Sequence, residues 1–200
     1  MIILDCNQNT PEWDDARRGL PTSSAFDQLV LMSGERAKPR EKYMWELAGE
    51  KISGESARGY YGASMAKGHE REDESRTMHS FMNDVEIQQI GFCYFDGKKE
   101  FGSSTDGLIG EDGVFETKNA EPHVQIKRLL KGWPKSEHFQ QVQGELYVTG
   151  RKWCDLVSYS RGFKPIVIRF NRDEKFIAKL AEEIQAFIVD LNNLVTKLKA

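Results

Sequence analysis

The strongest constraint on this chain is a change of period between Val85 and Ala120. There, "VEIQQIGFCYFDGKKEFGSSTDGLIGEDGVFETKNA" runs through β-branched and aromatic residues broken by "DGKK" and "GEDG". Such punctuation marks antiparallel hairpins. Helical patterns lie on both sides. "TPEWDDARRG" predicts a short helix with Thr10 as N-cap, Pro11 in the first turn and Gly19 as stop. "TSSAFDQLVLMS" predicts a second capped helix, and "PREKYMWELAGEKISG" a third ending at Gly54. A long helix is predicted from Tyr60 to Asp84, weakened at Gly68; its apolar positions Met65, Met78 and Phe81 leave Glu72 and Arg76 one turn apart on another face.

Beyond the hairpins, "PHVQIKRLLKG" and "EHFQQVQGELYVTG" read as helices, and "KWCDLVSYSRG" and "KPIVIRFNRD" as strands. The chain closes with an amphipathic helix from Asp173 to Leu198. Its stripe Ile177, Leu180, Ile184, Phe187, Leu191, Leu194 and Leu198, widened by Ile188 and Val195, predicts packing on the chain's own sheet. Helices followed by a sheet interrupted by helices predict an α/β domain, a central mixed β-sheet flanked by helices. Two hundred residues suit one domain over 1–200. No apolar run reaches the roughly 18 residues of a membrane span, and "MIILDCNQNTPEW" has no basic start, so neither a membrane partner nor a signal peptide is expected. Cys6, Cys93 and Cys154 are widely spaced and odd in number, which fits reduced thiols in the cytoplasm. A net charge of -3 gives no global attraction to nucleic acid, so such a partner requires a local basic surface.

The hairpin carries the chemistry. Side chains alternate along a strand, so Glu116 and Lys118 share a face while Thr117 points away. The turn brings the preceding strand alongside, where Asp106 can meet Glu116. Two facing carboxylates repel unless a cation lies between them, and Mg²⁺ is held by such oxygens together with water and phosphate. A lysine one pleat further offsets charge growing on a phosphoryl group. These are the parts of metal-assisted phosphodiester hydrolysis. A turn aspartate with a surface Glu–Lys pair is the commoner meaning of this spacing. Two features favour chemistry: the apolar neighbours Leu108, Ile109, Val114 and Phe115 mark a covered hairpin, and Glu72 and Gln141 lie on flanking helices that can close over the same point.

The motifs "WDDARRGLPTSS", "GHEREDESRT", "STDGL", "FETK" and "QQVQGELYVTGRKW" occur in that order over most of the chain. In this they resemble the PD-(D/E)xK nucleases, whose core is restriction-endonuclease-like, and more closely the lambda-type phage alkaline exonucleases, viral recombination nucleases. Thr105 stands where the family name expects proline, and the run around 33–62 is shorter than the family's. The resemblance implies a 5′-to-3′ exonuclease that uses Mg²⁺, with Mn²⁺ as a substitute, and digests one strand of linear double-stranded DNA. Its product is a 3′ single strand for a single-strand annealing protein. The resemblance also implies a homotrimeric ring, and a phage or prophage protein inside the host cell.

Carried over residue by residue, it implies that Asp106, Glu116 and the Thr117 carbonyl ligate metal, and that Glu72 assists a second ion through water. Lys118 activates the attacking water, Gln141 touches the water or scissile phosphate, and Arg17, Ser24 and Ser104 bind a 5′ phosphate. Each has a plainer reading: Arg18 rivals Arg17, Ser24 and Ser104 suit local hydroxyl bonding, and Gln140 and Gln143 rival Gln141. Arg76 joins Lys131, Trp133 and Lys135 as weaker candidates for contacts to the DNA backbone. Trp133 lies among Lys127, Arg128, Lys131 and Lys135, a mixture that tracks nucleic acid or forms a solvated loop with one packing anchor. His69, His79, His123 and His138 show no metal-ligand spacing and read as structural or surface groups; His138 is nearest Gln141. Rival readings are an endonuclease of the same superfamily and a non-catalytic DNA-end-binding adaptor.

Overall fold

The computed structural model describes residues 1–56 and 63–200. Strand β1 (Ile2–Leu4) leads into α1 (Pro11–Arg17), a 3-10 helix (Ser23–Gln28), α2 (Arg40–Ser53) and α3 (Ala63–Asn83). Five strands follow: β2 (Ile87–Gln88), β3 (Phe92–Tyr94), β4 (Gly102–Ser103), β5 (Gly107–Ile109) and β6 (Gly113–Asn119). Helices α4 (Pro122–Lys131) and α5 (Phe139–Thr149) precede β7 (Trp153–Tyr159), β8 (Ile166–Asn171) and α6 (Glu174–Lys199). Of the helix expected from Tyr60, residues 60–62 lie outside the described residues, as do the side chains of Met65 and His69.

The order of the main sheet is β2-β5-β6-β7-β8. Its β6–β7 pair is parallel and the other neighbours are antiparallel. A parallel pair needs a long crossover, and α4 and α5 supply it. The sheet is thus mixed, as the hairpins and later strands predict. Strands β1, β3 and β4 form a smaller sheet beside it.

The two faces of β6 meet different partners. Val114 joins the main core with Val142 and Leu146 of α5 and Leu156 of β7. Phe115 joins Ile109 and Val157 on the opposite face, where the His79 ring of α3 lies 5.2 Å from it. Helix α5 approaches the 3-10 helix closely: a Cβ on Gly144 would stand 2.4 Å from the Phe26 ring.

Local signals place most elements. Thr10 caps α1 by accepting from Trp13 N, and Gly54 ends α2 at φ 74°, a left-handed stop open to glycine. Two expectations are corrected. "TSSAFDQLVLMS" forms a six-residue 3-10 helix, and Thr22 makes no capping bond; its hydroxyl lies 3.3 Å from Ser24 Oγ. The α6 stripe is buried from Ile177 to Leu191, chiefly against α2 and α5, while Leu194 is half-buried and Leu198 exposed. Tyr43 of α2 stacks on Phe187 at 5.6 Å, and Phe139 of α5 meets Phe176 edge-on at 4.9 Å.

Candidate active site

The hairpin brings Asp106 and Glu116 together within the sheet. Gly107 pairs with Phe115, and just beyond this pair the Thr117 N–H donates to Asp106 Oδ2 at 2.8 Å. Since N–H and C=O of one strand residue leave from the same edge, the Thr117 carbonyl also faces the Asp106 side. The Thr117 hydroxyl turns to α3, 2.7 Å from Ser75 Oγ. Asp106 and Glu116 are both buried.

On the other face of β6, Lys118 Nζ donates to Glu116 Oε1 at 2.9 Å and to Gln141 Oε1 at 2.9 Å. Gln141 Nε2 donates to Glu116 Oε1 at 2.7 Å and to Glu145 Oε1 at 2.9 Å. Gln141 is thereby separated from its neighbours, because Gln140 donates to the Val30 carbonyl and Gln143 to the Asn171 carbonyl. Glu116 Oε2 and Glu145 Oε2 are buried with no hydrogen-bond partner.

Electrostatics separate the members of this cluster. Burial pushes Asp106 well above the usual carboxylate range, and the charges of Glu116 and Glu72 push it further. Burial and Glu116 do the same to Glu145. For Lys118, burial favours the neutral amine, but Glu116 and Asp106 outweigh it and hold the ammonium above its ordinary value. His138 is held down to about 4 by burial and by Lys118, so it stands neutral at the rim. Glu72 of α3 approaches closely enough to act on Asp106. Arg76 turns inward, donating to the Asp106 carbonyl at 3.1 Å and to Asp73 at 2.6 Å.

A second polar group lies where α1 meets β4. A parallel bridge joins Thr22 to Gly102, and Ser23 Oγ lies 2.7 Å from Ser103 Oγ. Ser24 and Ser104 follow on these two segments. Arg17 donates to Ser104 Oγ at 2.8 Å while stacking on Trp13 at 3.9 Å. Arg17 also lines a cleft of about 300 Å³ with Arg18, Thr22 and Tyr43. The structure joins Arg17 to Ser104 directly; Ser24 is exposed on the adjacent segment.

Residues 12–152 match the model of the YqaJ-like viral recombinase domain, which is most of the chain. The chain belongs to the YqaJ-like viral recombinase family. Its fold is that of an alkaline exonuclease, LHK-Exo from Laribacter hongkongensis, at 30% identity and a TM-score of 0.83, covering 95% of this chain and 96% of that one. The same values hold for LHK-Exo in complex with dAMP. A phage-related exonuclease from Haemophilus somnus shares the fold at 12% identity and a TM-score of 0.67, covering 90% of this chain and 96% of that one. No curated protein matches the sequence.

Within this YqaJ-like domain, Thr105 is held by hydrogen bonds. Its carbonyl accepts from Gln8 Nε2 at 2.9 Å, and its hydroxyl reaches the Gly107 carbonyl at 3.4 Å. The weaker DNA-backbone candidates divide. Lys131 and Lys135 are exposed, but Trp133 is a packing anchor: it is 7% exposed in the main core, and its indole donates to Glu137 at 2.8 Å. Its ring therefore has no face to offer a base. Arg76 uses two of its five N–H donors on Asp73 and on the Asp106 carbonyl. His79 is structural, buried 3.2 Å from Asp155. The sequence reading missed Glu145, although a glutamate one turn after Gln141 on an apolar helix face was a signal for it.

Among the described residues, no three His, Cys, Asp or Glu side chains form a ready-made metal cage. The donors are two carboxylates and a carbonyl, which leaves positions for water and phosphate. That set fits Mg²⁺, and the orphaned Glu116 Oε2 is the kind of buried oxygen a cation satisfies.

Proposed function

We propose that this YqaJ-like domain is a Mg²⁺-dependent 5′-to-3′ exonuclease of linear double-stranded DNA that leaves 3′ single strands for an annealing protein. Mn²⁺ substitutes for Mg²⁺. The observation that carries the reading is Glu116: one oxygen is bound by Lys118 and Gln141, while the other is buried with no hydrogen-bond partner. Family membership and the likeness to LHK-Exo support a deoxyribonuclease.

Asp106, Glu116 and the Thr117 carbonyl would hold the ion, and Glu72 would assist through water. When bound, the ion supplies Lewis-acid polarisation of the phosphate and a more acidic water. Lys118 orients the attacking water and offsets negative charge on the phosphoryl oxygens, and Gln141 fixes Lys118. The water oxygen bonds to phosphorus as the P–O3′ bond breaks, and the shortened strand keeps a 5′ phosphate. Arg17, Ser24 and Ser104 receive that phosphate through charge-assisted hydrogen bonds. Lys131 and Lys135 lie along the duplex backbone.

The working form is a homotrimeric ring, whose identical subunits meet head to tail. A ring around DNA reconciles a net charge of -3 with a polyanionic substrate, because a topological link needs few ion pairs. Linear and closed circular duplex are incubated with Mg²⁺ or with EDTA. Loss of the linear form alone, only with Mg²⁺, is the expected result. Cutting of the circle would favour an endonuclease, and end binding without digestion an adaptor. Light scattering on a sizing column is expected to give three times 22.9 kDa; a monomer with distributive digestion would defeat the ring.

A further inference from the structure

We infer that Glu145 is a positioning residue of this site, acting through Gln141 to hold Lys118. The inference rests on the nuclease reading above and adds a residue to it. Glu145 is fully buried on the core-facing side of α5, beside Val142 and Leu146. A carboxyl in such surroundings costs free energy unless its bonds are used. Nothing in the helix itself requires it there, since the bond from the Thr149 hydroxyl uses the main-chain carbonyl of residue 145.

The Gln141 amide shows what Glu145 does. An amide nitrogen has two hydrogens. One goes to Glu116 and the other to Glu145, which leaves the amide oxygen on the opposite side to accept from Lys118. Turning the amide over would aim its oxygen at two carboxyl groups and its nitrogen at an ammonium. Glu116 alone leaves one hydrogen unplaced. Glu145, one helical turn away on the same rigid element, places it. The orientation of Gln141, and with it the second hydrogen-bond acceptor of Lys118, is therefore set by a residue that does not touch Lys118.

The test compares Glu145→Leu, which removes the acceptor, with Glu145→Gln, which keeps an oxygen there. If Glu145→Leu does not fold, Glu145→Met serves, its flexible thioether being an easier fit. Four readouts are taken: kcat and KM on linear duplex, Mn²⁺ binding by calorimetry without DNA, thermal melting, and exchange of the Gln141 side-chain amide protons with water by NMR. Glu145→Leu is expected to lower kcat by about ten- to a hundredfold, the scale of losing a supporting partner of a metal site, with KM unchanged. Glu145→Gln is expected to recover most of that rate. In a Gln141→Leu background, Glu145→Leu is expected to add nothing, and in the single variant the Gln141 amide protons exchange faster. The inference is overturned by an unmoved amide exchange, by an unaltered kcat with only a lowered melting temperature, or by additive losses with Gln141→Leu. Weakened Mn²⁺ binding in both Glu145 variants would also overturn it, making Glu145 a metal ligand. The amide readout does not depend on cleavage, so wild-type protein that leaves linear DNA intact would refute the nuclease reading separately.

Discussion

Two buried carboxylates on neighbouring strands meet opposite fates. Asp155 of β7 faces α3, and Glu116 of β6 faces α5. Both oxygens of Asp155 are taken: Arg169 spans them at 2.7 Å each, and His79 adds a contact at 3.2 Å. Burial works to raise its pKa, but Arg169 and then His79 outweigh burial and hold the carboxyl below its ordinary range. Glu116 has one oxygen crowded by Lys118 and Gln141 and the other bare, and its carboxyl neighbours Asp106 and Glu145 are pushed upward. A carboxylate closed by an arginine fork builds structure. One left half-open among like charges stores an unmet demand for a cation, which is what a working site needs.

The comparison breaks most visibly on paired substitutions. Glu116→Ala or Asp106→Ala is expected to abolish digestion of linear duplex in protein that still melts cooperatively, with Glu116→Ala melting lower because the buried Lys118 ammonium loses its carboxylate partner. Wild-type digestion by Asp106→Ala would remove Asp106 from the site. Lys118→Ala is expected to cost about a hundred- to a thousandfold in rate, the scale of losing one donor to a developing negative charge; single-turnover kinetics measure it. Asp155→Ala is expected to act on stability rather than on rate. It loses about 2 kcal/mol of stability, the scale of hydrogen bonds to a charged group, and keeps its rate well below the melting temperature. Denaturant titration beside a digestion assay reads both.

Acid sharpens the same contrast. Asp155 is depressed in the folded state, so its contribution is complete above the ordinary carboxylate value of about 4. It is lost as pH falls through the depressed value. Asp155→Asn is expected to flatten that limb of the stability curve between roughly pH 4 and the onset of acid unfolding, and an unchanged limb would show that the Arg169 fork contributes little. The smallest effect belongs to the second polar group. Linear duplex with 5′-phosphate ends is expected to be digested faster than duplex with 5′-hydroxyl ends, and Arg17→Ala to narrow that gap by about tenfold, the worth of one charged hydrogen bond. Equal wild-type rates on the two ends would separate Arg17 from end recognition.

Much of this molecule is written in short stretches of its sequence. Thr10 and Pro11, Gly54, the "DGKK" and "GEDG" turns and the alternation across "VFETK" fixed the elements and put Glu116 and Lys118 on one face, because caps, turns and strand pleats depend on near neighbours. The α6 stripe likewise announced a buried face. Its partner was not legible, because a stripe states how much apolar surface must be covered and not by what. Tertiary structure chose α2 and α5 as its chief partners, put Trp133 into the core, turned Arg76 inward, and selected Gln141 over Gln140 and Gln143. It alone gave Glu145 a place in the site. Periodicity marks which side of α5 is buried, but the crossover between two parallel strands decides which buried position meets Glu116, and that register is fixed by packing between residues far apart in the chain.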